Sequence, residues 1–173
     1  MDAFLDRLDI YATGIWLPLL FCMTVLLFVV FMPKRQINWL GIYLTFGVVG
    51  CVGVLLDINI LGEYFDLFDL GDPGKEGIGD LASYAIIPSC LAVIFINYFD
   101  KKNKWLYVAI FTSISYSYEW LLTQIGYMKL LGWQNWYSIP VFIVVYGVWL
   151  PWHHEVIKRL SDEGAHHSDM DIE

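Results

Sequence analysis

Glu119 is the side chain in this sequence best placed to do chemistry. It is the only acidic, basic or histidine residue in WLYVAIFTSISYSYEWLLTQI, residues 105–125, an apolar run long enough to cross a bilayer. A carboxylate in such a segment costs roughly 2.5–3.5 kcal/mol on insertion scales, so it is held by partners or put to use. Steps of three and four residues along a helix place Thr112, Ser115, Tyr116 and Thr123 on its face. Ser113, Ser117 and Gln124 form a second polar strip beside them. A face this rich in hydroxyls turns towards other helices or water, not lipid. Two roles fit. Either the carboxyl is hydrogen-bonded and ties helices together, or it accepts a proton or binds a cation in a cavity open to one side. The scaffold role is preferred, because Glu119 lies about 9 Å from the end of its helix, shallow enough to hydrate.

Beyond it comes GWQNWYS, residues 132–138. Trp133, Trp136 and Tyr137 suit the headgroup layer, where amphipathic rings anchor. With Asn135 and Gln134 they also have the chemistry of a small outer pocket over Glu119, suited to an amphiphile. Asp57 and Asp80 are the acids expected at the same end, near enough in the topology to approach Glu119.

The elements that must position these groups follow from composition. The chain is 58% hydrophobic with a mean hydropathy of +0.56, well above the 45–50% apolar content usual for soluble domains. Five apolar runs read as spans, at about 13–32, 39–56, 81–99, 105–125 and 137–152. The predicted fold is therefore an all-α polytopic membrane bundle of about five helices within a single domain, 1–160. A four-span arrangement is the competitor, since 137–152 is short. Pro33 with Lys34 and Arg35 ends the first run, and Pro88 is expected to kink the third. Gly47, Gly50 and Gly53 recur every third residue, a pattern that lets a second helix approach closely. Residues 57–80 are expected to form a short amphipathic helix in the interface followed by a Gly/Pro-rich loop. Residues 161–173, polar and acidic, are expected to be a disordered tail.

Charge orients the bundle. Lys34, Arg35, Lys101, Lys102, Lys104, Lys158 and Arg159 fall on one side of a five-span topology, and Arg7, Lys75 and Lys129 on the other. Seven cations against three make the first side cytoplasmic, with the N-terminus outside and the C-terminus inside a plasma membrane. The lipid bilayer is the one partner the composition implies. A net charge of -8 with only 10 Lys and Arg argues against nucleic acid.

The stretch from Glu119 through Gly126, Trp133, Trp136, Tyr137 and Ser138 resembles that of small multi-span membrane proteins of unknown function in spore-forming Firmicutes. In these a late helix carries an acid, then a Gly, and a Trp-x-x-Trp-Tyr-Ser element opens the last helix. The resemblance is confined to the C-terminal half. It implies a bacterial plasma-membrane protein without an assigned activity, and gives no residue a catalytic role.

Absences narrow the chemistry further. No Lys or His lies within a span, which removes a Schiff base and a haem ligated in the bundle. Cys22, Cys51 and Cys90 each sit in an apolar run without a CxxC, and His153 and His154 lack a ligand set, so no metal or cofactor is expected. The expected function is a non-enzymatic envelope or sporulation-associated component. A small transporter or proton-coupled permease using Glu119 is the alternative, and a membrane enzyme acting on lipid the second. An enzyme would need a second convergent acid, base or ligand.

Overall fold

The computed structural model describes residues 8–72, 75 and 77–170, with side chains over 8–56, 60–61, 64–72, 75 and 77–160. Five helices make up most of these residues: α1 (Trp16–Phe31), α2 (Trp39–Gly53), α3 (Ile78–Tyr98), α4 (Lys104–Gln124) and α5. The last comprises Ser138–Val144, a wide-turned stretch over Val145–Trp149, and Leu150–Met170.

Helix ends fall where the local chemistry requires them. Met32 turns extended just before Pro33, and the Lys34 ammonium donates to the carbonyls of Val29, Val30 and Met32 at 2.8, 2.8 and 3.0 Å. A cation on the otherwise unpaired carbonyls at a helix C-terminus is favourable on both hydrogen-bond and dipole grounds. Asn38 caps α2, its side-chain oxygen accepting from the Gly41 N–H at 2.7 Å. Asn97, fully buried near the end of α3, fixes the intervening loop. Its amide oxygen accepts from the Arg35 N–H at 2.7 Å, and its amide nitrogen donates to the Pro33 carbonyl at 2.9 Å.

Pro88 distorts α3 as expected. It has no N–H for the Tyr84 carbonyl, and the helix widens to five-residue turns over Ala82–Ile86 immediately before it. The same carbonyl lies against Gly53, where any Cβ would collide with it. Gly50 likewise faces Ser89 and Ala85 of α3, whereas Gly47 faces open space. Close approach therefore uses two of the three glycines. The core centres on α3, where Cys90, Val93, Phe95 and Ile96 are fully buried against α1, α2 and α5.

The expectation for residues 57–80 needs correction. No separate interfacial helix follows α2; the helix continues in wide turns over Val54–Tyr64, and Asp66, at φ +50°, turns the chain. The next residues form a strand, β1 (Phe68–Leu70), paired antiparallel with β2 (Met128–Leu130), which lies between the fourth and fifth expected spans. The tail continues α5 as far as Met170. Its last residues, 171–173, lie outside the described residues, as does Arg7.

Among the described residues two helices, Trp39–Leu56 and Ile78–Tyr98, are long and apolar enough to cross a bilayer. At 16 residues α1 is apolar but shorter, and α4 has the length, 21 residues, but carries many hydroxyls. Outward faces bear large exposed apolar side chains, among them Leu20, Phe31, Tyr43, Leu106 and Val148.

Candidate functional site: a carboxylate at the end of an apolar cavity

The ribbon closes one end of the bundle. The Leu67 carbonyl, just before β1, accepts from the N–H groups of Leu131, Gly132 and Trp133 at 2.9, 2.9 and 3.0 Å. That contact holds Trp133 over the end of α4. Its indole Nε1 donates to the Ser138 Oγ at 2.9 Å, and the Ser138 hydroxyl donates to Glu119 Oε1 at 2.6 Å. Trp133, Ser138 and Glu119 thus form a hydrogen-bonded relay between the loop, the first turn of α5 and α4.

Glu119 is half-buried and lines a cavity of about 250 Å³. The cavity lies between α2 and α3 on one side and α4 and α5 on the other, and reaches from Met128 to Leu150. Ser138 to Leu150 is twelve helical residues, or about 18 Å. Its walls are mostly apolar, and four of the hydroxyls that line it are paired with one another. Ser83 Oγ and Tyr118 OH are 3.0 Å apart, and Ser115 Oγ and Tyr146 OH 2.8 Å apart.

The sequence-predicted residues divide unevenly. Ser115 and Glu119 share the cavity, and Trp133 is at its end. Thr112 is buried beyond it, its hydroxyl without a partner among the described residues. Tyr116 is half-buried and does not line the cavity. Thr123 bonds back to the Trp120 carbonyl at 2.7 Å and accepts from Asn135 at 3.3 Å, away from Glu119. Trp136 is exposed, bonded to Gln134 at 2.7 Å, and packs edge-on against Tyr137, which in turn meets Trp133. Of the residues expected to form an outer pocket, Trp133, Asn135, Trp136 and Tyr137, the first lines this cavity and the other three do not. The face of α4 that does line it carries Ser115, Tyr118, Glu119 and Leu122, at i, i+3, i+4 and i+7. Tyr116 and Thr123, the other hydroxyls near Glu119 in sequence, lie outside that lining.

Asp80 does not join Glu119. One of its oxygens accepts from the Tyr127 hydroxyl at 2.9 Å and the other from the Gly77 N–H at 2.8 Å. Burial first, and then the Asp80 charge, push the Tyr127 hydroxyl well above its ordinary pKa. The side chain of Asp57 lies outside the described residues. Among the described residues no three His, Cys, Asp or Glu gather as a metal site. Ser138 is the participant that sequence reasoning missed as a partner, although it closes the Trp-x-x-Trp-Tyr-Ser element.

No family model, curated protein or solved structure matches this chain. Function must be argued from the site.

Proposed function

We propose that the chain is a five-span integral membrane protein with a non-enzymatic role, whose internal cavity holds one slender amphiphile with its polar end at Glu119 and Ser138. The observation that carries this reading is the Trp133–Ser138–Glu119 relay at one end of an otherwise apolar cavity. At about 250 Å³ the space is just under the roughly 300–1,000 Å³ typical of ligand clefts, which favours a single chain over a ring system. Glu119 is the one acidic residue lining it, with no histidine or cysteine, so a general acid–base pair is not supplied.

Membrane embedding is supported by the many large apolar side chains on the outward faces, and by exposed Trp16, Trp39, Trp105 and Trp136 near helix ends. The orientation, N-terminus outside and C-terminus cytoplasmic, rests on Lys34, Arg35, Lys101, Lys102, Lys104 and Lys158 gathering opposite the ribbon. An envelope or sporulation setting, and kinship with the small Firmicutes proteins, belong to the same proposal. A permease reading is favoured by one observation, that Glu119 faces a cavity rather than a packed wall.

The test uses full-length protein in lipid nanodiscs with a photoreactive single-chain amine amphiphile. Label is expected on α3, α4 and α5 peptides, reduced by Glu119→Leu at the polar end and by Val52→Phe within the apolar wall. Labelling unchanged in Val52→Phe would remove the cavity from the argument. Proton uptake into vesicles that depends on Glu119 would transfer the conclusion to the permease.

A further inference from the structure

We propose a second binding site, at the end of the bundle opposite the ribbon, that takes a phosphate group of the kind a membrane phospholipid headgroup presents. A cavity of about 460 Å³ lies between the α1–α2 loop and α5, bordered by Lys34, Arg35, Gln36, Asn38, His154 and Lys158. Three full positive charges converge there, and among the described residues no acidic one lines the space. Glu155, next to His154, is instead engaged by the Lys101 ammonium at 2.9 Å.

The charges are set in place before any ligand arrives. Lys34 is held by its three carbonyl contacts and by the Trp39 ring, 4.5 Å below the ammonium. Asn38 caps α2 at the edge of the cavity, so the positive end of a 15-residue helix opens beside it. The loop carrying Lys34 and Arg35 is pinned by buried Asn97. Arg35 and Lys158 remain exposed, and a guanidinium matches two phosphate oxygens at once.

His154 adds an observation of another kind. Its Nδ1 is buried without a partner among the described residues. Burial, followed by Lys101 and Lys158, holds the imidazole below its ordinary pKa, while Glu155 pulls the other way. An anion in the cavity would offset the cations around the imidazole. Ile37 and Ile157, both buried, give the space an apolar floor, which suits a glycerol backbone and the start of an acyl chain better than a free ion. Basic pockets between helices at a cytoplasmic membrane face are a recognised seat for anionic headgroups.

The phospholipid source rests on the membrane reading above; the anion site itself does not. Full-length protein in an uncharged detergent would be titrated with phosphatidylglycerol, phosphatidylcholine and inorganic phosphate, with binding followed by native mass spectrometry. Phosphatidylglycerol is expected to be retained in preference to phosphatidylcholine. The paired change Arg35→Ala with Lys158→Ala should weaken that retention by about thirtyfold, two cations' worth of attraction. Lys102→Ala, a cation at the same end but outside the cavity, should leave it nearly unchanged. In the unsubstituted protein, phosphatidylglycerol should also raise the His154 pKa in a proton NMR titration. Inorganic phosphate binding alone, with the same dependence on Arg35 and Lys158, would support the site and assign it a soluble source. Equal retention of the two lipids with no phosphate binding, or no rise at His154, would overturn it. Alkaline carbonate extraction from vesicles tests the membrane reading separately: a chain that extracts but still binds phosphate keeps this site and loses that reading.

Discussion

Asp80 and Glu119 lie at the same end of the bundle, both withdrawn from solvent and both hydrogen-bonded, yet their surroundings differ. Around Asp80 the structure is solid. Tyr127 is almost completely buried, a Cβ on neighbouring Gly79 would run into its hydroxyl, and the N-terminal segment closes over the loop. There Asp9, at φ +49°, accepts from the Asp72 N–H at 2.9 Å, and the Leu8 carbonyl accepts from Ile78 N–H at 3.1 Å. Around Glu119 one side is a relay and the other is space. A carboxylate enclosed on all sides has only a fold to hold, whereas one at the edge of a cavity keeps lone pairs for a visitor.

The sharpest test of that contrast is Asp80→Leu. It strands a buried tyrosine hydroxyl and removes the acceptor for the Gly77 N–H, and is expected to cost about 3–5 kcal/mol, read as a large fall in melting temperature. Glu119→Leu should cost less, about 1–3 kcal/mol, because Trp133 keeps Ser138 as its acceptor. Glu119→Gln, which preserves an acceptor for Ser138, should melt close to the unsubstituted protein while losing amphiphile labelling. Equal destabilisation by Asp80→Leu and Glu119→Leu would break the comparison and return Glu119 to a purely structural role.

A smaller effect separates the ribbon end from the basic end. Burial lowers the pKa of both His153 and His154, with His154 acting on His153 and the lysines on His154. The unfolded chain then binds more protons than the folded one below the ordinary histidine pKa of about 6.5, so stability should fall as pH drops through that window. Melting from pH 7.5 to 5.5 should show the decline, and His153→Gln with His154→Gln should flatten it. A steeper decline in the double variant would place the pH sensitivity elsewhere.

Much of this could be read from residue order alone, because it depends on near neighbours. Pro33 with Lys34 and Pro88 as a distortion act within one helical turn of themselves, and the apolar runs set the helices by composition. The carboxylate at Glu119 stood out for the same reason, as one acid in a long apolar stretch. What required the tertiary structure was the choice of partners. Ser138 reaches Glu119 across 19 residues, Tyr127 reaches Asp80 across 47, and Asn97 reaches the Arg35 N–H across 62. The ribbon is the clearest case. Phe68–Leu70 and Met128–Leu130 are each too short to form a strand alone, and each becomes one by pairing with the other. Local propensity decides where a helix begins and ends; which polar group meets which, and whether space is left beside them, is decided only when distant segments pack.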